Sequence, residues 1–532
     1  MAMGDGSAIE MHAADRAKQS WTQLATTAEV GDTVLRFTEA TNWEVGDLIA
    51  IASSDFEHDH HETRVITDVR NNGRVIEIDS PLDHRHYGEI ETYDNGKRGT
   101  AFQSWDVDLR AEVGLLSRNI TVTGDEDAQD DLFGGHTMVM EGAEMRIDGV
   151  EFTKMGQAAI LGRYATHWHM LDDASGQYIQ NASYHQTFNK GMTIHGTDNV
   201  EVHNNVLFDH IGHGVFFEDG SETGVRVTDN LVFGTKKATN ATETIPTDQD
   251  EVSSFWVEHP NNIFIGNHAA GSEEHGFRFF PNDAPHGAST GQDVPGDFGD
   301  LVFRDNTVHS MMNGVFFGGR IDAGTLEIDG PGRQANDAEL LLEDTTVYKT
   351  IHKRRGGVWA EADNTHIVNL MAVDNGGAVT ITRDGYIQDS LIVAESRGNE
   401  QDLNFRRAED QRGLRIYVTA DGAVEDVHFE GFNETGEIAF EHSVSNQPNS
   451  YAAGLTFADT PDAFRFKWTE GIGQSSTLLD VDGSLTGTPN TLLLPTRSVP
   501  GASPQDQFNG FDVPSGNSQT MDELIDDLVK WR

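Results

Sequence analysis

The sequence predicts an all-β chain built on a right-handed parallel β-helix, and three observations lead there. Short β-branched or alternating runs, such as Asp32–Phe37, Asp47–Ala52, Arg64–Thr67 and Val75–Ile78, are separated by Gly, Asn and Asp turns. A segment then recurs in the middle of the chain: Asn, one residue, an apolar residue, a short spacer, then Gly–apolar–x–apolar. Its copies are Asn181–His195, Asn205–Glu218, Asn267–Phe280, Asn306–Gly318, Thr345–Glu361 and Asn369–Ile381, with starts 24, 62, 39, 39 and 24 residues apart. The long gaps correspond to a coil plus a loop, and Asp229–Phe233 starts a further coil inside the longest one. Finally, coils of roughly 22–25 residues cannot bury an apolar face alone and must stack, whereas a β-propeller needs four strands and about 40 residues per repeat.

In chain order, residues 1–112 hold the first four runs and read as an N-terminal β-rich domain. Residues 113–400 carry the repeats and read as the β-helix. Residues 401–532 read as a C-terminal β-rich extension of it, ending in an amphipathic helix near Met521–Arg532.

Stacking gives side-chain neighbours, because successive coils lie about 4.8 Å apart. Aligning the repeat glycines puts Ala159, Gly191, Gly214, Gly276 and Gly314 in one column. Four residues on, the column reads Arg163, His195, Glu218, Phe280, Gly318; one residue before, it reads Lys190, His213, His275, Asn313. Corner Asn stacks are structural ladders, but rows mixing Arg, His, Glu and Lys call for another reason. Thirteen of the 23 histidines fall between 136 and 309, which concentrates the chemistry there.

Composition narrows the function classes. With 37 basic and 87 acidic residues the formal charge is −50, and no Lys/Arg stripe exists to neutralise phosphates, so nucleic acid is excluded as a partner. The absence of cysteine excludes disulfides, thiolate metal sites and a Cys nucleophile. No apolar run approaches the ~20 residues of a membrane span. So acidic a surface fits a halophilic source, where salt screens self-repulsion. The opening residues Met1–Gly6 have neither a basic nor an apolar region, so no signal peptide is expected within this chain.

Several stretches resemble the cell-migration-inducing hyaluronidase and transmembrane protein 2 family of animals. They are Asn42–Phe56 (NWEVGDLIAIASSDF), Val107–Gly124, Phe133–His136 (FGGH), Met155–His169 (MGQAAILGRYATHWH), His185–Asn199 (HQTFNKGMTIHGTDN), Ile211–Gly220 (IGHGVFFEDG), Ser253–Phe279 and Leu478–Pro489. They run in order across about residues 20–490. The G8 module, the membrane anchor and the disulfide cysteines of that family are missing; Gly191 and Gly214 stand where animal members have Cys. The resemblance implies a pectate-lyase-like β-helix, hyaluronan as substrate, an extracellular place of action and calcium-dependent depolymerisation.

The residues themselves suggest where the chemistry sits. In His167-Trp168-His169 both imidazoles lie on one side of a strand, which suits a divalent metal: calcium is what the resemblance implies, and zinc or another transition metal fits the His pair. His195, His213, Glu218 and Asp219 are the proton-transfer candidates. Glu218 and Asp219, being adjacent, would face opposite sides of a regular strand, so a second carboxylate would have to come from another coil. Glu218, after the apolar Val215–Phe217, is the expected general acid. Arg163 and Lys190 are expected to hold a uronate carboxylate, with Trp168 and His275 beside them on the substrate. Hydrolysis, metal-assisted uronate elimination and glycan binding without catalysis are three readings these residues leave open. Asp480-Val-Asp-Gly-Ser has no later Glu at EF-hand spacing and reads as a side-chain-capped turn, and Asp55–His61 as a solvated loop.

Overall fold

A computed structural model describes residues 1–493, apart from 14–18, 240–241, 243–244, 282–283, 293–300, 319–339, 354, 362–364, 383–384, 399–410, 417–421, 445–448 and 469–476. Residues 494–532, including the helix expected near Met521–Arg532, lie outside the described residues.

The chain winds into a parallel β-helix. Among the described residues, one face is a sheet of 14 strands and the other two faces are ladders that share 22 strands. Apolar residues alternate inward on each short strand, as in Met192 and Ile194, Val215 and Phe217, or Phe277 and Phe279, and stack into one continuous core. At one corner Asn205, Asn230, Asn267 and Asn306, all at 0% exposure, form a ladder. The Oδ1 of Asn230, Asn267 and Asn306 each accepts the backbone N–H and the side-chain amide of the Asn one coil earlier, at 2.9–3.1 Å. These bonds satisfy backbone groups that a dry corner would otherwise orphan. Asn230 is the corner of the coil expected at Asp229–Phe233.

The start of the solenoid differs from the expected boundary. The first strand, Ser7–His12, pairs in parallel with Ala143–Asp148, so the solenoid begins before the N-terminal domain rather than at 113. Among the described residues, coils continue past 400 in the expected extension, through Arg412–Ile416, His428–Glu430 and Ile438–Val444 to Thr477–Asp480, with Thr491–Leu493 pairing antiparallel to the last. The N-terminal domain is therefore an insertion, a six-stranded antiparallel sheet with a hairpin, Ile90–Asp94 and Ser104–Asp108. It docks along the solenoid's flank through Ala50, Ala52 and Leu116 against Val206, Phe208 and Phe233. Trp21 and Trp105 donate across the same junction to the carbonyls of Asp229 and Asp389, at 2.8 and 3.0 Å.

Several carboxylates are locked into this framework. Burial alone would raise their pKa values, but neighbouring cations and N–H groups outweigh it. Glu62, held by His86 and the backbone of Asp83 and His84, falls to about 2. Glu251, held by His275 and Arg278, falls to about 2 as well. Buried Glu112, between His309 and His268, also lies far below its usual range. A carboxylate with a depressed folded pKa stabilises the fold above its unfolded value, here 4.5, and loses that contribution as pH falls through the folded value. The melting temperature is thus expected to drop steeply between pH 4.5 and about 2; a flat profile across that window would mean these carboxylates are not held as described.

The turn at Asp480 is capped as expected: its carboxylate accepts from the backbone N–H of Gly483 and Thr486, at 3.1 and 2.7 Å. Asp55 likewise serves its own loop, accepting from Glu57 N–H and pairing with His60.

Candidate active site

The observed register corrects the expected columns. Thr166–His169 pairs with Met192–His195. Ala165 therefore stands beside Gly191, while Ala159 sits in a preceding turn with φ +58°. Pairing of Val215 with Phe255 and of Phe255 with Phe277 places the strand Ser253–Val257, which completes the coil starting at Asp229–Phe233, between the Gly214 and Gly276 strands. The outward row four residues after the small column thus reads His169, His195, Glu218, Glu258, Phe280. Arg163 leaves the row, and Ser253 separates His213 from His275.

Three imidazoles meet on this row. One ring nitrogen from each of His167, His169 and His195 lies within 4.8 Å of the others. His169 Nδ1 is 3.1 Å from His195 Nδ1. His195 Nε2 is 2.6 Å from Asp219 Oδ2, and its Nδ1 is 3.4 Å from Glu218 Oε2. Glu218 and Asp219 thus reach one imidazole together, against the expectation that they part. The strand ends at Phe217, so alternation no longer applies to them. Tyr164 donates its hydroxyl to Glu218 Oε1 at 3.1 Å. His167 Nδ1 lies 3.2 Å from the Gly162 carbonyl, while its Nε2 and Glu218 Oε2 are buried without a hydrogen-bond partner.

A second pair sits beside the first. Glu258 accepts from the Trp256 indole at 2.9 Å and bonds to His286 Nε2. His286 Nδ1 lies 3.8 Å from Asp219 Oδ1, and the Ser289 N–H donates to Asp219 Oδ2 at 2.9 Å. Gly287, at φ +57°, lets this loop close in: a Cβ there would stand 2.3 Å from Asp219 Oδ1. Glu222, wholly buried, caps the N–H groups of Gly196 and Ser221 beneath the site.

Burial, and then nearby charges, separate the proton affinities. Burial raises the pKa of Glu218, and His195 only partly opposes it. Burial also raises Glu258, and it carries Glu222 up to about 7. For Asp219 the same penalty is overcome by the His195 hydrogen bond, so its pKa falls. His195 and His286 resist burial through their carboxylate partners and rise to about 8 and about 9. Burial and mutual repulsion lower His167 and His169.

These groups open onto an outward-facing cavity of ≈ 610 Å³, with apolar walls from Met138, Ile160 and Phe216 and Arg163, Glu218 and His286 among its polar lining. Arg163 Nη1 is 2.7 Å from His136 Nε2. An apolar cavity with a few convergent polar groups is the usual form of a small-ligand or active site.

Four expected residues lie elsewhere. Trp168, at 0% exposure, points into the core between its two histidines and donates to Gln177. Lys190 is sealed beneath Thr247–Asp250 and bonds to Asp248 Oδ2 at 2.7 Å, between the rings of Tyr164 and Phe216. His213 is buried against the same Asp248 carboxylate at 3.4 Å. His275 is buried on Glu251 at 2.9 Å. The segment from Thr247 to Glu251 folds over this flank and supplies their partners. Conversely, Tyr164, Glu222, Glu258 and His286 were not singled out. Glu258 had a signal, because Ser254–Glu258 repeats the Gly214–Glu218 spacing with Ser in place of Gly. His286 sits on a loop outside the repeat and had none.

Residues 132–316 match the family model of the CEMIP beta-helix. Over this stretch the chain is similar to the CEMIP/G8-related family. Human Fibrocystin-L is 28% identical over 90% of this chain and 12% of its own length. A G8 domain-containing protein of Dictyostelium discoideum is 30% identical over 79% of this chain and 38% of its own. Human Cell surface hyaluronidase CEMIP2 is 27% identical over 68% of this chain and 30% of its own. The chain therefore spans less than two-fifths of these relatives. Among solved structures, a GH87 alpha-1,3-glucanase catalytic domain bound to nigerose is 10% identical, covering 85% of this chain and 90% of that one at a TM-score of 0.31. The mannuronan C-5 epimerase AlgE6 A-module of Azotobacter vinelandii is 11% identical, covering 67% and 86%, at a TM-score of 0.30.

Proposed function

We propose that this chain is an extracellular depolymerase of hyaluronan or a similar uronate-containing polysaccharide, and that it cuts by endo-hydrolysis. The observation that carries this reading is Glu218 at an outward-facing cavity, flanked by three imidazoles on one side and by the Glu258–His286 pair on the other. Similarity to the CEMIP beta-helix model and to a hyaluronidase favours the substrate class. Arg163, on the cavity lining, is the group to fork a uronate carboxylate, and such a local cation matters on a chain of charge −50.

Hydrolysis breaks the glycosidic C–O bond, sends a proton to the departing oxygen and adds hydroxide from water to the anomeric carbon. Glu218 is the proton donor. Glu258, the carboxylate from the next coil, takes the proton from water, with His286 and Trp256 fixing its orientation. A lyase reading has one supporting observation of its own: Arg163 and His286 bring positive charge to the cavity, as neutralising a uronate carboxylate requires.

The test is incubation of the full chain with hyaluronan and a panel of uronate polymers, at low and high salt. Chain length, new reducing ends and unsaturated-uronate absorbance are followed. Shortening without new absorbance is expected, with faster cutting in salt as the repulsion between polyanions is screened. New absorbance would replace hydrolysis by elimination. Retention of the polymer without any shortening would replace both by a binding role.

A further inference from the structure

The imidazole cluster has a feature that proton transfer alone does not use: its ring nitrogens are sorted. His167 presents Nδ1 to the Gly162 carbonyl at 3.2 Å, which makes that nitrogen the N–H and leaves Nε2 with a lone pair. That Nε2 is buried without a hydrogen-bond partner, on a side chain 2% exposed. His195 presents Nε2 to Asp219 at 2.6 Å, which leaves the lone pair on Nδ1. His169 Nδ1 meets it at 3.1 Å. Glu218 Oε2, also unpartnered, lies 3.4 Å from His195 Nδ1 and 3.8 Å from His167 Nε2.

A carboxylate or backbone carbonyl on the far nitrogen of an imidazole is how proteins orient metal-binding histidines. Ligands held 2.0–2.1 Å from one ion stand roughly 3.3 Å apart, close to the 3.1 Å between His169 and His195 and the 3.4 Å between His195 and Glu218, with a ring nitrogen of His167 within 4.8 Å of both imidazoles. Calcium, which the family resemblance implies, takes six to eight oxygens. This cluster offers one carboxylate oxygen among three nitrogens, a set that suits zinc or a related borderline ion.

We infer that His167, His169 and His195 hold one transition-metal ion of the zinc class in place of calcium, with Glu218 beside its open position and Asp219 as the positioning residue that aims His195. Bound there, such an ion supplies Lewis-acid polarisation and an activated water. The inference deepens the reading of the same centre as a glycan-cutting site, and its test needs no substrate.

The full chain, stripped with a chelator and dialysed, is titrated with Zn²⁺, Co²⁺ and Ca²⁺. Bound metal is counted by elemental analysis, and Co²⁺ is followed by its visible absorption. The expected result is one equivalent of zinc or cobalt, a cobalt spectrum of nitrogen-rich low coordination, and no calcium competing for the site. Asp219→Asn is expected to weaken zinc 10–100-fold while keeping the cobalt band, and His169→Ala to abolish both. Circular dichroism shows that each variant is folded. A folded wild-type chain that retains no zinc or cobalt, or that yields them to equimolar calcium, would overturn the inference, whatever its activity. Stoichiometric zinc with no cutting of any polymer would leave it standing and sink the depolymerase reading instead.

Discussion

Replacing Glu218 by Gln is expected to lower the rate of polymer shortening by about 10²–10⁴-fold, the usual contribution of a positioned acid–base group. The change is nearly isosteric. The Tyr164 hydroxyl, 3.1 Å from Oε1, can still donate to the amide oxygen, so the melting temperature and circular dichroism should stay close to wild type. What is lost is a proton that can be delivered and recovered. Glu258→Gln should produce a loss of similar order, because hydrolysis needs both carboxylates. The two changes together should cost far less than the product of the single effects, since groups that act as one unit are not additive. Full activity in a folded Glu218→Gln chain would remove Glu218 from the chemistry and leave the cavity as a binding groove.

Glu112→Ala is expected to destabilise the fold by about 3–5 kcal/mol, the cost of removing one partner from a buried ionic set. Glu112 is wholly buried on the strand Glu112–Leu115 of the inserted domain, and it joins two coils of the solenoid. Its oxygens lie 2.6 Å from His268 Nδ1 and 3.1 Å from His309 Nε2, and His309 is wholly buried too. Truncation leaves those imidazoles facing a void, whereas Glu112→Gln preserves the shape and should recover part of the loss. Urea unfolding of the full chain measures the difference. A penalty below about 1 kcal/mol would mean that the apolar seam carries the docking of the domain without this clasp.

Much of the site was legible because the fold is a repeat. His195 and Glu218 are neighbours for a reason visible in the sequence: each lies four residues after a repeat glycine, and stacking places equal positions about 4.8 Å apart. The same rule placed His167 and His169 on one side. Trp168, expected on the substrate, instead points the other way and fills the core. The rule slipped where the repeat marker changed residue: the coil starting at Asp229–Phe233 is expected, but Ser254 stands in its glycine position, so no glycine marks its later strand or Glu258. It slipped again at Asp219, because alternation holds only while the strand lasts, and this one stops at Phe217.

The sequence by itself determined the solenoid, its corner asparagines and the outward row of His and Glu, since each depends on period, turn chemistry and stacking between neighbouring coils. The tertiary structure decided which members of that row meet the cavity. Lys190, His213 and His275 sit on the same flank as His195, yet Asp248 and Glu251 fold over them and hold them in the interior. His286 arrives from a loop, and Gly287 lets that loop close against Asp219. The physical reason is range. Period and propensity act over a few residues and one coil, whereas burial of a charge depends on which distant segment covers it and on whether that segment brings a carboxylate.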